Sequence, residues 1–174
     1  MLDILHDSST KAKAKVLLLK QAIGADLNFA PILICELRAL RVNQRVLGME
    51  ALELFTREVH DLDTQFIWEF AIQQLNEKSP AMLRESGRVI ANLASRHWLS
   101  AEGAIPALLE MTEHNGTVVR WSAAHALSQI FLSDTQDVWQ LNTIIGGIVL
   151  RDEKESIRKI YHKALVQKTK RKQS

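Results

Sequence analysis

Cysteine occurs once, proline three times and glycine seven times in this chain of 174 residues. With Cys35 as the single thiol, an internal disulfide and any metal site built on several cysteines are excluded. Cys35 lies in an apolar run with no flanking base or cation cluster to lower its pKa, and it reads as a small buried hydrophobe. Scarce proline and glycine argue against a sandwich of many short strands, because the turns between strands consume those residues. No basic segment precedes an apolar stretch at the N-terminus, and the longest later apolar run, residues 143–150, falls far short of a bilayer span. The expectation is a soluble cytoplasmic protein with no membrane partner.

Catalytic signatures are also missing. His6, His60, His97, His114, His125 and His162 show no paired ligand spacing with one another or with carboxylates, so no metal is expected. No glycine-rich phosphate loop follows a strand, and no Ser-His-Asp order stands out. Asp61 and Asp63 are read as helix-capping residues in a loop. The reading is a non-enzyme without cofactor.

What is present is ordinary globular material, 47% apolar and 24% charged. The net charge of +2 is unevenly spread. Residues 151–174 carry nine Lys/Arg against three Asp/Glu, and the preceding 150 residues carry thirteen against seventeen. A mildly acidic body therefore ends in a basic segment. Its tail, residues 168–174, suits either a solvated end or contact with phosphate or an acidic protein.

A fourfold echo organises the rest. Gln44-Arg45 leads to Gly48, Ala51 and Leu52; Leu83-Arg84 to Gly87, Ile90 and Ala91; Val119-Arg120 to Ala123, Ala126 and Leu127; Ile157-Arg158 to Tyr161, Ala164 and Leu165. The arginines are spaced by 39, 36 and 38 residues. That period suits two helices plus turns, so each unit is predicted to be a helical hairpin that covers its apolar face by stacking on its neighbours. Counting from the arginine, a helical period places the residues three, six, seven and ten positions on along one face, rich in small side chains that permit close helix approach.

Amphipathic segments precede each of these second helices. Turn signals separate them at Val42-Asn43, Ser79-Pro80, Asn115-Gly116 and Arg151-Asp152. The segment before the last one should start at Asp134 or Thr135, with Gly146-Gly147 as a bend or a point of close approach. Residues 11–24 read as an additional N-terminal helix ended by Gly24, with Lys11, Lys13, Lys15 and Lys20 giving it a polar outer face. Trp68, Trp98 and Trp139 fall in or beside first-helix apolar faces and read as core.

The third unit, Val119-Arg120 followed by Ala123-Ala124 and Ala126-Leu127, resembles the second helix of a HEAT repeat, and the other three units are looser versions of it. The pattern covers about residues 29–170. The resemblance implies an all-α fold, an armadillo-like α-α superhelix (α-solenoid) of about four HEAT-like hairpins plus the N-terminal helix. As a single domain its repeats are about 29–59, 63–98, 102–132 and 135–170. It also implies a scaffold or adaptor whose second helices line the concave side. Repeats of this kind usually carry an aspartate in the turn before the arginine, and only Asp152 sits in that place.

The repeated arginines lie beside the buried face and read as structural, with packed stems and guanidinium groups bonded to turn carbonyls or carboxylates. The groove surface is expected from the opposite face of the second helices, at Glu85, Asn92, Arg96, Trp121, His125, Ser128, Lys159 and Lys163. Trp121 and His125, one turn apart, form the expected recognition pair, and Lys159 and Lys163 would select an acidic stretch. The first reading is a protein-binding module. The alternative is a nucleic-acid-binding or repair-like protein that uses Arg96, Lys159, Lys163 and the tail on phosphates.

Overall fold

The computed structural model describes residues 2–59, 62–134, 136, 137 and 139–172. It is all-helical, with no strand among the described residues. A short α1 (Leu2–His6) and a longer α2 (Ala12–Ala25) precede four hairpins. These are α3 (Phe29–Leu37) with α4 (Val42–Thr56), α5 (Gln65–Gln74) with α6 (Pro80–His97), α7 (Ile105–Thr112) with α8 (Thr117–Ser133), and α9 (Leu141–Arg151) with α10 (Glu155–Lys172). A 3-10 segment, Trp98–Gly103, joins the second hairpin to the third.

Local chemistry sets several boundaries. Ser79 caps α6, its hydroxyl accepting from the Met82 amide at 3.4 Å while Pro80 occupies the first turn, where a missing N–H costs nothing. Ahead of α5, the Asp63 carboxylate accepts from the Gln65 amide at 3.0 Å. Asp61, the other capping candidate, lies outside the described residues. Gly116 is the residue from which α8 starts. Two boundaries differ from expectation. Helix α2 runs through Gly24 to Ala25, and α9 begins only at Leu141. Asp134 instead closes α8, and its carboxylate accepts from the Trp139 amide at 3.2 Å, shaping a loop before α9; Thr135 lies outside the described residues. Helix α9 continues through Gly146 and Gly147, where a Cβ would meet nothing within 4 Å, so neither marks a close approach.

Helices α2, α4, α6, α8 and α10 form a row in which each packs on the next, while α3, α5, α7 and α9 pack against the second helices of their own hairpins. Trp68, Phe70, Phe131 and Tyr161 are fully buried between these layers, with Leu37, Leu52 and Met82. The small residues three positions after the arginines serve close packing in two ways. At Gly48 a Cβ would fall 2.5 Å from both Leu37 methyls, so the glycine admits α3 of its own hairpin. At Gly87 a Cβ would fall 2.5 Å from the Ser122 hydroxyl, so that glycine admits α8 of the next hairpin. Ser122 then donates to the Arg84 carbonyl at 2.6 Å, bonding α8 to the α6 backbone.

Trp68 is core as expected, whereas Trp98 and Trp139 are half-buried. Cys35 corrects the reading of a buried hydrophobe: it is exposed, on the flank of α3 away from Leu33, Ile34 and Leu37. Lys15 is likewise not on a polar outer face. It is buried beneath α1, where its ammonium donates to the Leu5 carbonyl at 2.9 Å, and Lys20 pairs with Glu58 at 2.7 Å. Among the described residues no helix is long and apolar enough to cross a membrane.

The approach of α6 to α8 is testable by a double-mutant cycle. Gly87→Ala is expected to cost about 1–2 kcal/mol by overpacking, despite alanine's better helix propensity. In the Ser122→Ala background the added methyl meets no hydroxyl, and a coupling of about 1 kcal/mol should appear in urea denaturation. Strict additivity would contradict the contact.

Candidate functional site

The repeated arginines account for much of how the row is joined. Arg45 of α4 pairs with Glu77 in the α5–α6 turn at 2.6 Å, and Arg120 of α8 with Asp152 in the α9–α10 turn at 3.1 Å. Arg120 also reaches Glu153 at 3.4 Å and donates to the His114 carbonyl at 3.0 Å, and Arg158 donates to the Asp152 carbonyl at 2.7 Å. The turn carboxylate therefore works across a junction between hairpins, and Glu77 fills the role that sequence reading assigned to Asp152 alone.

Arg84 departs from this pattern, its guanidinium pairing with the adjacent Glu85 at 2.6 Å.

At the opposite ends of the second helices, side chains of one second helix satisfy carbonyls near the C-terminus of the second helix before it. Asn92 donates to the Glu53 carbonyl and to Thr56 Oγ1, both at 3.1 Å, and Arg96 donates to the Val59 carbonyl. Lys168 donates to the Phe131 carbonyl at 2.5 Å and to that of Asp134, and Arg171 to the Leu132 carbonyl at 3.2 Å. Unpaired carbonyls and the negative end of the helix dipole make these favourable places for cations. Part of the basic segment is thus used inside the fold. Residues 173 and 174 of the tail lie outside the described residues.

Four of the expected groove residues are drawn into the fold, Asn92 and Arg96 by these contacts and Glu85 and Ser128 by burial. Glu85 is 0% exposed and Ser128 is 3% exposed, while Asn92 and Arg96 are half-buried in the bonds just described. The reason is the side-by-side packing of second helices, which covers flanks that would face solvent on an isolated hairpin. Glu85 is enclosed by Arg84 and by Arg88 at 3.1 Å, and Arg88 bridges to the buried Glu53 at 3.2 Å. Glu53 is further paired with Arg57 at 2.6 Å. Burial pushes the Glu85 carboxyl above the usual carboxylate range, against the pull of Arg84.

The other four remain accessible. Trp121 is 39% exposed, and its ring contacts that of His125 with centroids 4.0 Å apart and planes inclined by 55°. Lys159 and Lys163 are exposed on α10. Burial, and then the charge of Lys163, hold the His125 imidazole below the usual histidine range. Sequence reasoning missed the partners of Trp121. A groove of about 400 Å³ is lined by Arg84, Arg88, Thr117, Val118 and Trp121, with Val118 itself exposed. Val118 and Trp121 share one edge of α8, three residues apart, and that spacing was the available signal. Among the described residues no group of His, Cys, Asp and Glu is arranged to hold a metal ion; His60 lies outside them.

No family model matches this chain, and neither does any curated protein. Among solved structures it is similar to the crystal structure of an engineered protein, with a TM-score of 0.69 over 94% of this chain and 76% of the other at 16% identity. At that identity the likeness concerns the fold alone.

Two outcomes are expected. Arg120→Ala leaves the nearly buried Asp152 carboxylate without its cation and should cost about 3 kcal/mol, against about 1 kcal/mol for Arg45→Ala at its more exposed pair, both read by urea denaturation. Burial also holds His97 below the ordinary value of 6.5, as it does His125. Each folded imidazole binds its proton more weakly than the unfolded chain does, so the stability is complete above 6.5 and declines as pH falls below it towards the lowered folded values. His97→Gln with His125→Gln should flatten the fall of the urea midpoint between about pH 7 and pH 5.

Proposed function

We propose that this chain is a non-catalytic, HEAT-like helical-repeat scaffold or adaptor of the cytoplasm, a single α-α superhelical domain that binds a segment of a protein partner along its second-helix face. The observation that carries the reading is Trp121, a large aromatic left 39% exposed and in contact with His125, beside a groove walled by Val118, Arg84 and Arg88. Tryptophan and arginine are the side chains most enriched where protein interfaces concentrate their energy. Arg84 and Arg88 are already held by Glu85, so little side-chain entropy remains to be lost on binding. Lys159 and Lys163 favour a segment with acidic character.

A second reading, nucleic-acid binding, draws on the exposed lysines of α10, Lys159, Lys163 and Lys170. It is weakened by the use of Lys168, Arg171 and Arg96 on backbone carbonyls. Phosphate neutralisation makes affinity fall steeply with added salt, whereas a contact centred on an aromatic side chain changes little.

The test is capture from nuclease-treated native lysate on the intact chain, on Trp121→Ala and on Trp121→Ala with Lys163→Glu. Protein partners retained by the wild type should fall by about tenfold or more with Trp121→Ala, at unchanged thermal midpoint. Partners retained equally by all three forms, or retention of nucleic acid alone in untreated lysate, would refute the reading.

A further inference from the structure

Between α8 and α10 lies a second groove, of about 310 Å³, lined by His125, Ser128, Leu132, Lys159, Ile160 and Lys163 among others. Ser128 is only 3% exposed, yet its hydroxyl has no hydrogen-bond partner among the described residues. A buried hydroxyl left unpaired is a standing cost, and native folds remove most of them. A serine within a helix has an easy outlet in the carbonyl four residues back, which Ser128 does not use. Two lysines of α10, one turn apart, line the same groove. Lys159 is held by Glu155 at 2.8 Å, and Lys163 makes no ion pair among the described residues. The remaining wall, Leu132, Ile160 and Ala164, is apolar.

A buried hydroxyl, an unpaired lysine and aliphatic side chains lining one groove suit one chemistry, an acceptor-only anion on a short hydrocarbon stem. We propose that this groove is a subsite for the carboxylate of an aspartate or glutamate in the bound protein segment, with Ser128 donating a hydrogen bond to it and Lys163 balancing its charge. The proposal rests on the reading of the second-helix face as a peptide-binding surface and adds the identity of one recognised side chain. His125 couples the two places, touching Trp121 with its ring and lining the carboxylate groove. Ser128 follows Trp121 by seven residues on α8, about 10 Å along the helix axis. An extended segment covers that distance in about three residues, so the acidic residue should lie about three positions from the apolar one that meets Trp121.

The experiment pans a random peptide library displayed on phage against the full chain, Trp121→Ala, Ser128→Ala and Lys163→Glu. Wild type should enrich peptides that pair an aromatic or aliphatic residue with Asp or Glu about three positions away. A synthetic peptide of the enriched sequence should bind about tenfold or more tightly than its Glu→Gln mate, and Ser128→Ala and Lys163→Glu should each abolish that difference. Ser128→Ala removes only an unpaired hydroxyl, so its thermal midpoint should equal or exceed that of the wild type, which separates lost recognition from lost folding. Peptides that require Trp121 but carry no acidic residue, or a Glu/Gln difference that survives both groove substitutions, would overturn the subsite and leave the binding face standing. No enrichment by the wild type would overturn both.

Discussion

Close contact between successive second helices is the constraint on which the rest of the structure depends. A helical hairpin has one apolar face too many to stand alone, and here that face is covered by the next hairpin in the row. The tightest place is α6 against α8, where Gly87 leaves no room for a methyl group and Ser122 bonds directly to the α6 backbone. Glycine at position 87 is a geometric requirement of this contact, because a Cβ there would press on Ser122 and hold α6 and α8 apart.

The junctions on either side of that contact are closed by charge as well. Arg45 with Glu77 and Arg120 with Asp152 reach forward into the next turn, while Arg96, Lys168 and Arg171 reach back to the carbonyl ends of the preceding helices. A guanidinium or ammonium placed on orphan carbonyls satisfies the backbone and opposes the helix dipole at once. Arg84 makes no such forward reach, and Arg158 bonds within the turn of its own hairpin. Arg84 turns to Glu85 beside Arg88, and the groove under Trp121 opens at the junction where it does so.

That coincidence shapes the functional reading. Arg96 and Lys168 are engaged with backbone carbonyls inside the fold and offer little to a partner. The cations near Trp121 and along α10 stand at grooves, one with apolar and guanidinium walls and one with an unpaired hydroxyl in its lining. Trp121 and His125 lie between the two grooves and would bring an apolar anchor and a polar subsite onto one helix.

The sequence by itself determined the all-helical class, because period, small-residue spacing and scarce proline and glycine are local properties that survive without coordinates. It also determined the structural use of the repeated arginines, which follows from their place at the margin of the buried stripe, and it singled out the Trp121–His125 pair from one-turn spacing. Only the tertiary structure decided which outward residues are surface. Glu85, Asn92, Arg96 and Ser128 lie on the polar side of their own helices, but the flank of a helix is buried or bare according to the distance of its neighbour, and no periodicity within one helix encodes that distance. Cys35, Lys15 and the Glu77 pairing were hidden for the same reason: burial and partnership belong to pairs of elements, whereas a helical pattern describes one.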